Sequence, residues 1–339
     1  MSHPITQAVL LVGGEGTRLR PLTLRRPKAL VPLLNRPLLS YELQLLARHG
    51  ITDVILAVGY KADALAASLG NGSQWGVRLT YVEDPIPLGT AGGIGNVRDL
   101  LHGHFVAMNG DLVYDVDLTA LVQAHLDSAA TMTFCLRHVD DISRFGLIPC
   151  DPDGWVAQFL EKRDVDPTGQ NRINSGVYVM SPEVLDAIPP GQTWSSEAQL
   201  FPGLLNAGKR LRGYEFSHQG YWADVGTRES YLQTSRDLLG GAIPWIAPEV
   251  SSDLSAAIGA AVVAPVHIAE GVIIETGATV GPNVTLGPGC HIGTGCILSD
   301  CIVWEGVTVG PGCYLENCII ADGETVPAGL CQTEGVIAT

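Results

Sequence analysis

A chain of 339 residues, 46 per cent of them hydrophobic, is long enough for two domains with real cores, and no apolar run in it reaches the roughly 18 residues of a membrane span. Its 35 acidic residues against 20 basic ones leave a net charge of −15, which disfavours nucleic acid and anionic membrane as partners, because both reward a basic face. Anionic substrates must therefore meet local positive charge or a metal ion.

The first residues, Met1-Ser2-His3-Pro4, lack the charged and apolar regions of a signal peptide, so a cytoplasmic protein is expected. Five apolar residues, 8–12, then run into Gly13-Gly14, as in a buried strand ending in a tight turn whose amides face an anion. Beyond that turn Arg18 and Lys28 stand ten residues apart, with Pro21 and Pro27 stiffening the loop between them. The dinucleotide fingerprint is excluded because Leu19 occupies the place of its third glycine, and the triphosphatase loop because no Gly-Lys-Ser or Gly-Lys-Thr follows.

Farther along, helical spacing over residues 38–46 alternates with apolar runs such as Val54-Ile55-Leu56-Ala57-Val58 and Phe105-Val106-Ala107-Met108. To about residue 240 this predicts βαβ units on a mostly parallel, Rossmann-like sheet. Asn109-Gly110-Asp111 then falls at the C-terminal end of a strand, where open α/β sheets bind ligands. Pro244, Pro248 and Ser251-Ser252 mark a linker, giving expected boundaries of 1–240, 241–258 and 259–339. In residues 259–325 the helical pattern vanishes and Val280, Leu286, Ile292 and Leu298 recur every six residues, a hexapeptide repeat. Six of the eight cysteines follow residue 289, without a CxxC pair that would suggest metal.

The stretch Gly13-Gly14-Glu15-Gly16-Thr17-Arg18-Leu19-Arg20-Pro21-Leu22-Thr23, closed by Pro27-Lys28, resembles the signature of the sugar nucleotidyltransferases, which join a nucleoside triphosphate to a sugar 1-phosphate. It looks most like their mannose-1-phosphate guanylyltransferase branch, and the hexapeptides resemble a left-handed parallel β-helix. The resemblance implies that Leu11, Gly13, Gly14, Gly16, Thr17, Arg18, Lys28, Glu83, Gly89, Thr90, Asn109 and Asp111 bind the nucleotide, GTP being favoured. Glu83, Gly89 and Thr90 belong to Glu83-Asp84-Pro85-Ile86-Pro87-Leu88-Gly89-Thr90-Ala91-Gly92, which is similar to the family's base-reading loop, with Gly59-Tyr60 as a further contributor. Gly146, Glu161, Lys162 and Asn174 would bind the sugar phosphate, with Asn174-Ser175-Gly176 as a sugar-contacting turn. Asp111 and the aspartate of Tyr221-Trp222-Ala223-Asp224-Val225-Gly226-Thr227 would hold Mg²⁺, as two carboxylates suit a hard cation that shares substrate phosphates.

The same resemblance assigns catalysis to Arg18, Lys28 and Lys162, through positioning and charge neutralisation rather than covalent chemistry. Three departures from the family pattern, Arg163, Ser175 and Thr227-Arg228-Glu229, lie toward the sugar. Ala29 replaces the glutamine usual in thymidylyltransferases and counts against dTTP; UTP, ATP, glucose phosphate and heptose phosphate stay as alternatives, and a non-catalytic nucleotide-sugar-sensing subunit is the reading of another class. With three hexapeptides per coil, Cys296 stacks on Cys313 and Cys301 on Cys318, each 17 residues on, so one residue is expected to be missing between Cys301 and Cys313. The cysteines are then small packing residues inside the prism. His267 and His291, without a long insertion between the repeats, give no acyltransferase site, and the exposed flank and open end of the β-helix predict a homo-oligomer.

Overall fold

The computed structural model describes residues 5–59, 61–143, 145–160, 165–217, 220–246 and 259–338. Contacts divide the chain into two units: Met1–Glu15 with Leu39–Trp222, and Gly16–Leu38 with Ala223–Thr339.

The first unit is built on seven strands: β1 (Gln7–Leu11), β2 (Asp53–Val58), β3 (Arg78–Glu83), β4 (Phe105–Asn109), β5 (Met132–His138), β6 (Arg172–Met180) and β7 (Leu211–Glu215). Their order is β7-β5-β6-β4-β1-β2-β3, parallel throughout except that β6 runs against both neighbours. Near-continuous apolar runs such as that of β1 suit strands covered on both faces. Val9, Ile55, Ala107, Phe134, Tyr178 and Phe201 form the centre of one core, with Phe134 edge-on to both Tyr178 and Phe201. Because Leu11 pairs with both Ala57 and Asn109, the C-terminal ends of β1, β2 and β4 finish side by side.

One expectation is corrected here. Asn174-Ser175-Gly176 is not a turn but the middle of β6. The ladder slips between Phe134 and Leu136, Ser175 Oγ donates to Cys135 O, and Gly176 takes φ +83°, a conformation that glycine adopts without strain. The sequence reads as a turn because the bulge requires turn residues.

In the second unit residues 261–337 form a parallel β-helix of three sheets with five, five and four strands. Register partners are 18 residues apart in the first coil, as in Val262 to Val280 and Val266 to Val284, then 17 apart, as in Thr285 to Ile302 and Ile297 to Tyr314. The residue is therefore lost at the corner between Leu298 and Cys301, not between Cys301 and Cys313, which are two full hexapeptides apart. At that corner three residues, 281–283, shrink to two, Ser299-Asp300, and Asp300 turns the chain with φ +51°; Asn317 does the same one coil on with φ +49°.

All eight cysteines are free thiols, seven of them buried. Inside the prism Cys290, Cys296, Cys301, Cys313 and Cys318 each place the thiol against the carbonyl fourteen residues on, at 2.8 to 3.5 Å. Cysteine suits this row because it is small and apolar yet supplies a weak donor. Helix α1 of this unit (Arg228–Leu239) opens with a capping box in which Thr227 and Ser230 satisfy each other's backbone amides. The linker expected over 241–258 lies outside the described residues from 247 onward.

Candidate active site

The second unit gathers three of the expected charges. Gly16 adopts φ +63°, and a Cβ there would lie 3.0 Å from both Lys28 Cβ and Thr23 Cγ2, so only glycine lets the loop close over Lys28. Thr23 Oγ1 donates to Gly16 O at 2.8 Å and fixes that closure. Two short 3₁₀ turns follow, Thr17–Leu19 and Lys28–Leu30, the second entered through Pro27, whose fixed φ favours it. Lys28 is thereby buried while the Arg18 side chain stays 58 per cent exposed. Both reach the same carboxylate: Lys28 Nζ is 3.8 Å from Asp224 Oδ1 and Arg18 Nη2 is 3.7 Å from Asp224 Oδ2.

Gly226 is a residue that the sequence reading passed over. A Cβ on it would stand 2.6 Å from Arg18 Nη2 and 2.8 Å from Asp224 Oδ1, so its missing side chain makes the room for this pair. Its amide donates to Ser230 Oγ, which ties the aspartate motif to the helix cap. The departure at Thr227 is thus accounted for: that residue is the N-cap of α1.

The first unit presents the remaining described residues along the strand ends. Val12 N donates to Ala57 O, and Gly13 meets Gly59 so closely that a Cβ on Gly59 would be 3.0 Å from Gly13 Cα. A Cβ on Gly14 would meet nothing within 4 Å, so this part of the turn is open. Beside it, a Cβ on Gly93 would lie 3.5 Å from Leu11 Cδ2 and 3.6 Å from Asp84 Oδ2. Leu11 and Asp84 therefore converge on one place, whereas Glu83 is exposed. Asn96 Nδ2 donates to Asp84 Oδ1 at 3.0 Å, but burial dominates and raises the Asp84 carboxyl above its usual range. Gly89 and Thr90 open a helix spanning Gly89–Asn96, and Thr90 Oγ1 accepts from Ser196 N at 2.8 Å, leaving its own proton to donate.

Asp111 follows β4 directly after Gly110, whose amide donates to Leu11 O. Asn109 and Asn174 flank Gly176: a Cβ there would be 2.9 Å from Asn109 Nδ2, and the Gly176 amide donates to Asn174 Oδ1 at 3.0 Å. Asn174 Nδ2 also donates to Tyr178 Oη at 2.6 Å, so the asparagine is held rigidly. Gly146 sits beside Leu160: a Cβ on it would lie 3.4 Å from Leu160 O, and the next residue, Leu147, exchanges two backbone hydrogen bonds with Leu160. Tyr60, Glu161, Lys162 and Arg163 lie outside the described residues.

The fold defines an α/β protein with a mostly parallel sheet whose chain also carries a parallel β-helix. The chain belongs to the nucleotidyl transferase family, whose model matches residues 7–240, and the model described as GMPPB C-terminal domain matches residues 262–337. It is 42 per cent identical over 238 residues to a mannose-1-phosphate guanylyltransferase of Mycobacterium tuberculosis, covering 70 per cent of this chain and 66 per cent of that protein. A mannose-1-phosphate guanyltransferase of Schizosaccharomyces pombe is 37 per cent identical over 232 residues, 67 per cent of this chain and 62 per cent of that one. A UTP–glucose-1-phosphate uridylyltransferase of Synechocystis is 32 per cent identical over 247 residues, 69 and 63 per cent of the two chains. The matched region spans just under two thirds of the length of these relatives. Among solved structures, HddC from Yersinia pseudotuberculosis complexed with GMP-PN superposes with a TM-score of 0.59 at 27 per cent identity, over 69 per cent of this chain and all of that one. Enzymes of this family generally work with a divalent metal. No described helix is long and apolar enough to cross a membrane.

Proposed function

We propose that this chain is a mannose-1-phosphate guanylyltransferase, transferring the guanylyl group of GTP to mannose 1-phosphate with release of pyrophosphate. The observation that carries the reading is the convergence of Arg18 and Lys28, from one glycine-entered loop, on Asp224. Two cations on one anion mark a place built for phosphate charge. Lys28, buried and fixed by its turn, holds the nucleotide phosphates; Arg18, exposed beside it, holds the pyrophosphate. Lys162 takes the sugar phosphate and Glu161 the sugar hydroxyls, and Asn174 and the Gly146 backbone also contribute to the sugar phosphate site. The attacking oxygen needs no general base, because a phosphate monoester with its second pKa near 6 is already ionised at neutral pH.

Carboxylates at Asp111 and Asp224 are the hard oxygen donors that Mg²⁺ takes, and each belongs to an element that presents it at a strand terminus. When bound, the ion would neutralise triphosphate charge and orient the oxygens. Preference for guanine is supported by Asp84 beside Leu11: an acceptor-only carboxylate matches the two adjacent N–H donors of guanine's Watson–Crick edge, whereas uracil and thymine offer one. Eight free thiols favour the reducing cytoplasm. Exposed Ile297, in register with Tyr314 and through it Cys331 on one β-helix sheet, supports a homo-oligomer.

Pyrophosphate release from a matrix of GTP, UTP, dTTP and ATP against mannose, glucose and heptose 1-phosphates, with Mg²⁺, tests the reading. GTP with mannose 1-phosphate is expected to give the highest kcat/KM. A higher value for UTP with glucose 1-phosphate would move the chain to the uridylyl branch, and no turnover with any pair would leave a nucleotide-sugar-sensing subunit.

A further inference from the structure

The loop Gly16–Leu38 belongs to the unit of the β-helix, not to that of the strand from which it springs. Three residues of the loop, Arg26, Pro32 and Asn35, are hydrogen-bonded to others of that unit. Arg26, two residues before Lys28, donates through Nη2 to Asp322 Oδ2 at 2.6 Å and lays its guanidinium 5.2 Å from the centre of the Trp304 ring. Trp304 Nε1 donates to Tyr231 Oη at 3.1 Å, and Tyr231 Oη donates to Pro32 O. At the tip of the hairpin formed by Pro32–Leu33 and Arg36–Pro37, Asn35 Nδ2 donates to Leu286 O at 2.8 Å.

Trp304 and Tyr231 are almost fully buried, so the relay between them lies in a low-dielectric setting where an unmade bond is costly. The Arg26–Asp322 pair is one-third exposed and counts for less as charge than as a seat for the planar guanidinium on the indole. Arg26 Nη1 also approaches Leu30 O at 3.4 Å, at the end of the turn that begins with Lys28. The backbone on both sides of Lys28 is thus gripped by coils of the β-helix and by α1.

We propose that the β-helix is a working part of the phosphate site: Tyr231, through Trp304, and Arg26, through Trp304 and Asp322, are positioning residues that hold the loop bearing Arg18 and Lys28 in its binding geometry. This rests on the reading of that loop as the triphosphate site. A β-helix so used is more than a platform for assembly, and its third and fourth coils, which carry Trp304 and Asp322, set the affinity for nucleotide.

Tyr231→Phe keeps the ring and removes the relay, while Arg26→Ala and Arg26→Lys separate the seat from the charge. In full-length Tyr231→Phe, amides of residues 16–38 are expected to exchange faster than in the wild type, and the KM for GTP to rise about tenfold, with kcat and the KM for mannose 1-phosphate within about twofold. Arg26→Ala should shift the same constant, and Arg26→Lys should recover part of the loss. Unchanged exchange over residues 16–38 would overturn the brace. Faster exchange with an unaltered KM for GTP, or with both KM values raised equally, would overturn the positioning role. A wild-type chain that turned over no triphosphate would instead sink the functional reading, while the exchange measurement would still decide whether the brace exists.

Discussion

Gly226 sets how near Arg18 comes to Asp224, and it does so by lacking a side chain. A methyl group there would lie 2.6 Å from the tip of Arg18, a flexible side chain that swings aside at little cost to the fold. Gly226→Ala should therefore reduce turnover at least about tenfold while shifting the unfolding midpoint by less than about 2 °C. Steady-state kinetics beside a thermal melt check this; normal kinetics would show that Arg18 is not needed at Asp224. The charged partners of this site were legible from sequence, since glycines, an arginine, a lysine and an aspartate in those contexts are chemically distinctive. Gly226 was not, because its role is a distance. Nor was the place of Asp84 near Leu11, with Glu83 exposed: successive residues leave a strand on opposite faces, and which face meets Leu11 is a matter of register.

At the scale of elements, the helix spanning Leu118–Ser128 packs against β5 through a buried histidine. His125 Nδ1 lies 2.9 Å from Thr133 Oγ1 and Nε2 2.9 Å from His104 Nδ1, with the two rings edge to face. Burial, helped by His104, lowers the His125 pKa to about 4. The unfolded chain takes up a proton near pH 6.5, before the folded chain does, so this group costs no stability above about pH 6.5 and weakens the fold as pH falls from there toward 4. The slope should approach 1.4 kcal/mol per pH unit at most, about the value for one proton. His125→Asn should flatten the curve of urea midpoint against pH between 7 and 4.5, though starting lower; an unchanged slope would remove His125 as its source.

The shortened corner of the β-helix offers a second element-scale test. Asp300 combines a left-handed backbone with bonds from Arg236 Nε at 2.6 Å and Asn283 Nδ2 at 3.0 Å. Asp300→Gly loses only the bonds, whereas Asp300→Ala also adds the left-handed penalty, so chemical denaturation should find the alanine variant less stable by about 1 kcal/mol. Equal stabilities would mean that the corner relaxes. The hexapeptide period made the coil legible in sequence, and the interval that shortened was legible too, since Cys296 and Cys301 are five residues apart whereas Cys301 and Cys313 are two full hexapeptides apart; only the strand register places the loss at the corner after Leu298.

For the whole molecule, the texture of the sequence divides the chain near residue 240, while contacts assign Gly16–Leu38 to the unit that begins at Ala223. Periodicity reports which element a segment forms, and it carries no information about which partner covers a loop without periodicity. The ligand chemistry is similarly separate from the fold's stability. Among the described residues no group of three or more His, Cys, Asp or Glu side chains is placed to hold a metal, and all eight thiols are free. Asp224, with Arg18 and Lys28 as counter-ions, is not left as an isolated charge when metal is withdrawn. A chelator should therefore abolish turnover yet move the thermal midpoint by less than about 2 °C, and a reductant should move it no further. A fall of about 5 °C with the chelator would reveal a metal that the fold depends on, and a comparable fall with the reductant would reveal a disulfide; turnover that survives the chelator would remove the assignment of Asp111 and Asp224 to Mg²⁺.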